Sequence, residues 1–275
     1  MSEQCAVGID WCNGAWLAVI YRHEDVVDVL VEEDISEIIE NYGQSSKRII
    51  VDIPIGLFEE GDREEGDELV RECDRLARRV LGARHSSVFN PPAKEVARLI
   101  DRGTSHSEAS EENRRITGKG LQKQAHYIAE GIYQVDVLLD EAEENDDILD
   151  TIAEAHPEVC FTALAGGGMA HSKKTIQGVV ERIEAMSLSE DESWMKFKVV
   201  SEMLGNETDR DIDVDDVIDA IVLAYTASAP DGELHSLPPN GSEVHFGTQD
   251  HYRRMEMVYR ATEPLPQVKE MPGSR

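Results

Sequence analysis

Cys5-Ala-Val-Gly-Ile-Asp10, Trp16-Leu-Ala-Val-Ile-Tyr21 and Val26-Val-Asp-Val-Leu-Val31 are three short apolar runs set closely together in residues 5–31. The first ends on a carboxylate, and the polar turn Arg22-His-Glu-Asp25 joins the second to the third. Runs of this length, rich in β-branched residues and bounded by turn residues, predict three strands in a meander. Further along, Asp34 to Tyr42 carries Ile35, Ile38 and Ile39 at helical spacing, with Gly43 as a stop. Arg48-Ile-Ile-Val-Asp-Ile53 is apolar enough for a buried central strand, ended by Pro54 and Gly56.

From Gly61 the pattern turns helical. Helices are predicted over Asp67–Leu81, Pro92–Asp101 and about Leu121–Glu143, the last with Ile128, Ile132, Val135 and Leu139 on one face. Asp150 to His156 reads as a further strand, and Pro157 opens a short helix. Beyond the loop Gly166-Gly-Gly168, helices follow near Lys173–Met186, Ser193–Leu204 and Val214–Ala227. After Pro230 the composition shifts to Gly, Pro, Ser and His. The expected organisation is one α/β domain over residues 1–229, with a helical insertion at about 57–149, followed by a C-terminal extension over 230–275. A meander followed by helix–strand alternation predicts a mixed sheet with helices on both faces. That element order is the one found in the ribonuclease H-like fold.

The chain has 275 residues, 56 of them acidic against 27 basic, for a formal charge of −29. The basic residues are 9 Lys and 18 Arg. Acidic side chains interleaved with apolar faces, and scarce lysine, point to a halophilic protein folding in concentrated salt, where screening removes most of the self-repulsion. Cys5, Cys12, Cys73 and Cys160 form no C-x-x-C pair and read as reduced thiols of a cytoplasmic protein. No signal peptide and no apolar run of roughly 20 residues is present, so no membrane partner is expected.

Two acids fall at the ends of apolar strands: Asp10, and Asp52 within Val51-Asp-Ile-Pro-Ile-Gly-Leu57. A carboxylate there is costly unless it is paired or holds a cation. If the two strands are neighbours, the pair suits a hard divalent ion, Mg²⁺ or Mn²⁺; the alternative is that each aspartate caps its following loop. The helix beginning Val214-Asp-Asp-Val-Ile-Asp219 puts Asp216 and Asp219 on one face. Acids in a first turn also complement the helix dipole, which explains Asp216 more readily than Asp219. Asp213 and Asp215 are expected in solvent. Glu154 and Glu158, flanking His156 in Glu154-Ala-His-Pro-Glu158, are candidates for a further ligand or a water-orienting base, with His156 suited to proton transfer; alternatively Glu158 caps its helix.

One stretch departs from the acidic background. Arg71 to Lys123 holds 12 basic against 7 acidic residues, a net of +5. Arg71, Arg75 and Arg78 share a helical face, and Arg84 and Lys119 follow, the latter in Gly118-Lys-Gly120. A retained basic patch suggests a phosphate-bearing ligand; the alternative is internal salt bridges with neighbours such as Glu72 and Asp74.

Taken together, several segments resemble a domain-of-unknown-function family described as predicted ribonuclease H-like nucleases. They are Gly8-Ile-Asp10 with Trp16, Val51-Asp-Ile-Pro-Ile-Gly-Leu57, and Arg71-x-Cys-Asp-x-x-Ala-Arg78 running on to Ser87-Val-Phe89. Glu154-x-His-Pro-Glu158, Lys174 with Gly178 and Arg182, and Asp215-Asp-x-x-Asp-Ala220 continue the likeness, which covers roughly residues 5 to 229. Asp10, Asp52, Asp216 and Asp219 also resemble the acidic site of RuvC-type resolvases, from which the chain departs by its large insertion. The resemblance implies a ribonuclease H-like fold and a Mg- or Mn-dependent nuclease acting on DNA or RNA. Two rivals stand beside it: an actin- or sugar-kinase-like ATP-dependent phosphotransferase, and a nucleic-acid-binding protein without catalysis.

Overall fold

The computed structural model describes residues 4–23, 25–142, 148–187, 193–208, 210–239, 245–246 and 253–266. Residues 240–244, 247–252 and 267–275 of the expected C-terminal extension therefore lie outside the described residues, as does the end of the helix expected to reach Glu143.

The protein is of the α/β class, built on a mixed five-stranded sheet. β1 (Cys5–Cys12), β2 (Ala15–Arg22) and β3 (Asp25–Glu32) form the antiparallel meander. Asn13 and Gly14, both at positive φ, make the two-residue turn between β1 and β2 that right-twisted strands favour. After α1 (Ile35–Tyr42), β4 (Ser46–Val51) runs parallel to β1. The insertion follows: α2 (Glu72–Leu81), α3 (Lys94–Asp101), α4 (His106–Thr117), α5 (Lys123–Tyr127), α6 (Ala129–Glu141) and α7 (Ile148–Thr151). β5 (Ile152–Glu154) pairs parallel to β4, giving the order β3-β2-β1-β4-β5. Then come α8 (Pro157–Ala165), α9 (Ile176–Ser187), α10 (Ser193–Glu207) and α11 (Val214–Ala227). Beyond α11, β6 (Leu234–Leu237) pairs with β9 (Met257–Arg260), and β7 (His245–Phe246) with β8 (Arg253–Arg254).

The pleat divides the core in two. Val7, Ile9, Trp16, Ala18, Ile20, Ile49 and Val51 pack with α1 and α6 on one face. Ala6, Leu17, Val19, Tyr21 and Ile50 pack with α2, α8, α9 and α11 on the other. β6 and β9 belong to the same core as the second face: Leu237, Met257, Val258 and Tyr259 are buried in it. β6 and β9 are thus docked on the domain.

Gly8 sets the position of α11. A Cβ at Gly8 would lie 2.0 Å from the backbone nitrogen of Ala224 and 2.4 Å from the Ala220 carbonyl oxygen, so the helix rests directly on β1. Asp10, two residues on, points to the same side of the sheet.

Four elements differ from the sequence reading. α4 was not legible: its twelve residues are mostly polar, with Ala109 and Ile116 its buried apolar residues. Its sign was the capping box Ser105/Glu108. The long helix expected from Leu121 is broken at Ile128 into α5 and α6. The strand expected over Asp150–His156 shrinks to Ile152–Glu154, with α7 before it. The helix expected from Asp67 starts only at Glu72, because Arg71 stays extended to carry its side chain inward.

Candidate metal centre

The carboxyl ends of β1 and β4 open into a cavity of about 300 Å³. Asp10, Asp52, Asp216 and Asp219 line it together with Lys173, Glu154, His156 and Glu158. Trp11, Ile53, Pro54, Val88, Phe89, Ile128 and Met257 form its apolar walls.

Asp10 and Asp52 are brought together by strand register. Ile9 is paired with Val51 across the parallel ladder, and the Asp52 N–H donates to the Ile9 carbonyl at 3.0 Å. The two carboxyls are close enough for the charge of Asp52 to act on Asp10. Asp10 is 5% exposed and Asp219 2%, while Asp52 and Asp216 are half-buried. Burial, then Asp52, Asp219 and Asp216, hold the Asp10 carboxyl well above the usual carboxylate range, with Lys173 opposing. Burial pushes Asp52 up to about 6, with Asp219 adding to it. Burial and then Asp215 push Asp216 up to about 7. Asp219 is raised by burial, against the pull of Lys173.

Lys173 is the site residue that the sequence reading missed. Its Nζ lies 2.5 Å from Asp219 Oδ2 and 3.5 Å from Asp215 Oδ2. Burial works against its charge, but Asp219, Asp10 and Asp52 outweigh burial and raise its pKa. Asp215, expected in solvent, is buried and faces this ammonium; Asp213 is exposed as expected. The family resemblance pointed to Lys174, which is exposed, one residue away.

The glutamates do other work. Arg71, 1% exposed, donates to both Glu154 oxygens at 2.8 Å, to Asp74 at 2.6 and 3.1 Å, and to the Ile55 carbonyl at 3.0 Å. Glu154 also accepts the Ile55 N–H at 2.7 Å. Glu158 is held by Arg182 through both oxygens, at 2.7 and 2.9 Å, and by Arg84 at 3.2 Å. The cap of α8 is His156 rather than Glu158: its Nδ1 accepts the Glu158 N–H at 3.1 Å. That bond leaves the proton on Nε2, which faces the Ser87 carbonyl at 3.3 Å. Both ring nitrogens thus have backbone partners, and Glu154 and Glu158 are in ion pairs.

The expected phosphate-binding cations are likewise engaged internally. Besides Arg71 and Arg84, Arg75 pairs with Glu72 at 2.5 Å and Lys119 with Glu68 at 2.6 Å. Arg78 donates to Asn90 at 2.6 Å and to the Val88 carbonyl at 3.1 Å. Gly118 is the left-handed C-cap of α4, so Gly118-Lys-Gly120 is a helix stop. This is the salt-bridge alternative of the sequence reading, with Arg71 tying the insertion to β5.

Two acidic groups compete as cation sites. Cys73, Asp74 and Glu154 are buried with ligand atoms within 4.8 Å of one another, close enough to hold a metal ion. No three of the aspartates meet that spacing among the described residues. Proximity alone favours the first group, but the Arg71 guanidinium already lies between its carboxylates. The Asp10–Asp52 pair is a second candidate, because Mg²⁺ is commonly bound through one or two carboxylates, with water and substrate oxygens filling the shell. Its raised carboxyls also carry mutual repulsion that a cation relieves.

The sequence profile of a family described as "Protein of unknown function (DUF429)" matches residues 8–243. The chain belongs to this family. The DUF429 match takes in both strand-end aspartates, Lys173, and Asp216 and Asp219 of α11, and runs past α11 and through β6. No curated protein and no solved structure is similar enough to match. Among the described residues, no helix is long and apolar enough to cross a membrane.

Proposed function

We propose that this protein is a divalent-metal-dependent nuclease with a ribonuclease H-like fold, hydrolysing phosphodiester bonds of DNA or RNA. The observation that carries the reading is the placement of Asp10 and Asp52 side by side at the ends of adjacent parallel strands, with Asp216 and Asp219 of α11 lining the same cavity. The strand order, a meander extended by two parallel strands, supports the fold assignment.

The donor set consists of carboxylate oxygens, which fits Mg²⁺ or Mn²⁺ better than a soft metal. Asp10 and Asp52 would anchor the ion, and Asp216 and Asp219 would complete the outer part of its shell. Such an ion, when bound, polarises a phosphoryl oxygen and lowers the pKa of water. The remaining contribution is the chain's own. Trp11, Phe89 and Ile128 exclude bulk water and give a base or sugar an apolar wall, and the Lys173 ammonium offsets phosphate charge. The −29 charge supports a halophilic protein.

The test is a cleavage screen of labelled single- and double-stranded DNA and RNA with Mg²⁺ or Mn²⁺ in molar KCl, beside Asp10→Asn. Metal-dependent cleavage that is lost in Asp10→Asn supports the proposal. No cleavage above the mutant for any substrate overturns it; binding without cleavage would then favour a binding protein, and stabilisation by ATP a phosphotransferase.

A further inference from the structure

The aspartate cluster already contains one cation, and that cation belongs to the chain. Lys173 sits in the segment 170–175 between α8 and α9, which side chains of α9 hold in place. The N–H groups of Ala170 and His171 donate to Glu181 at 2.6 and 2.8 Å, and Arg182 donates to the His171 carbonyl at 3.3 Å. Gly178 closes the arrangement: a Cβ there would lie 1.9 Å from the Ser172 carbonyl oxygen, so α9 packs directly on this segment. The lysine is therefore delivered by a built loop. Its ammonium contacts Asp219 and Asp215, and the charges of Asp10 and Asp52 act on it from the strand side.

We infer that Lys173 is a resident counter-ion that claims the Asp215–Asp219 side of the cluster, so that the site takes one divalent cation, at Asp10 and Asp52, and excludes a second. The inference rests on the metal-site reading above and specifies its stoichiometry. Paired catalytic metals sit roughly 3.5–4 Å apart and share carboxylates between them. A second ion on Asp219 would have to displace an ammonium 2.5 Å from Oδ2 and held by two carboxylates.

The experiment is a calorimetric titration of the full chain with Mn²⁺ alone, in molar KCl, for wild type, Lys173→Met and Lys173→Arg. One Mn²⁺ per chain in wild type and Lys173→Arg, and two in Lys173→Met, is the expected result. Two Mn²⁺ in wild type overturn the inference while leaving the metal site intact, and this outcome needs no variant to fold. One Mn²⁺ in both wild type and a folded Lys173→Met also overturns it, because the lysine then excludes nothing. No Mn²⁺ bound by any of the three proteins removes the metal-site reading itself, and the inference with it.

Discussion

The backbone N–H of Asp52 donates to the carbonyl of Ile9 at 3.0 Å, continuing the parallel ladder one residue past the last paired positions of β1 and β4. That bond fixes Asp52 beside Asp10. The juxtaposition is therefore a property of the backbone, and it persists when either side chain is neutralised.

Asp10→Asn and Asp52→Asn are accordingly expected to fold, and to melt higher than wild type in chelator, because each removes one of several crowded anions. Both are expected to lose the stabilisation that Mn²⁺ gives wild type. Thermal melts with and without Mn²⁺ check this; an unchanged Mn²⁺ shift in Asp10→Asn would count against Asp10 as a ligand.

Gly8 is where fold and site meet. Gly8→Ala forces a methyl into the backbone of α11 and is expected to cost more than about 3 kcal/mol, a severe case of overpacking. Denaturant unfolding measures the loss. A variant as stable as wild type would show that α11 does not rest on β1 as described.

Arg71 distinguishes a strut from a phosphate ligand. Arg71→Met leaves Glu154 and Asp74 as uncompensated buried charges and is expected to destabilise the protein by roughly 3–5 kcal/mol. Affinity for a labelled oligonucleotide, measured below the melting temperature, is expected to stay within twofold of wild type. Reduced affinity with unchanged stability would restore the phosphate-binding role.

The raised carboxyls set a pH dependence with a definite sign. A carboxyl whose folded pKa exceeds its unfolded one stabilises the protein below the ordinary carboxylate range, and that stability is lost as pH rises through the folded value. Asp52 at about 6 and Asp216 at about 7, against an ordinary value of 3.8, place the loss between about pH 4 and pH 7. The metal-free protein is expected to be more stable at pH 5 than at pH 8, by on the order of 2 kcal/mol. Mn²⁺ is expected to reduce this slope, since it favours the ionised form. Melting in chelator across this range tests it; a flat profile would contradict the crowding of these acids.

The meander, β4 and α11 were legible because their apolar runs are long and their boundaries carry turn or capping residues. Asp10, Asp52, Asp216 and Asp219 were legible for a related reason: a charge inside an apolar run is conspicuous. α4 was not, since its face toward the core is small and its composition polar. Lys173 was hidden because it lies in a loop, where no periodicity assigns a direction to a side chain. The arginines were ambiguous in a physical way. A basic cluster in an acidic protein fits phosphate binding and internal neutralisation equally well, and the ion pairs of Arg71 and Arg84 with Glu154, Asp74 and Glu158 are visible only in three dimensions.

The most direct test of the metal centre is anomalous diffraction from crystals soaked in Mn²⁺. The expected result is one peak about 2 Å from carboxylate oxygens of both Asp10 and Asp52, with the Lys173 ammonium still against Asp219. A peak between Cys73, Asp74 and Glu154, with none at Asp10 and Asp52, would contradict the account.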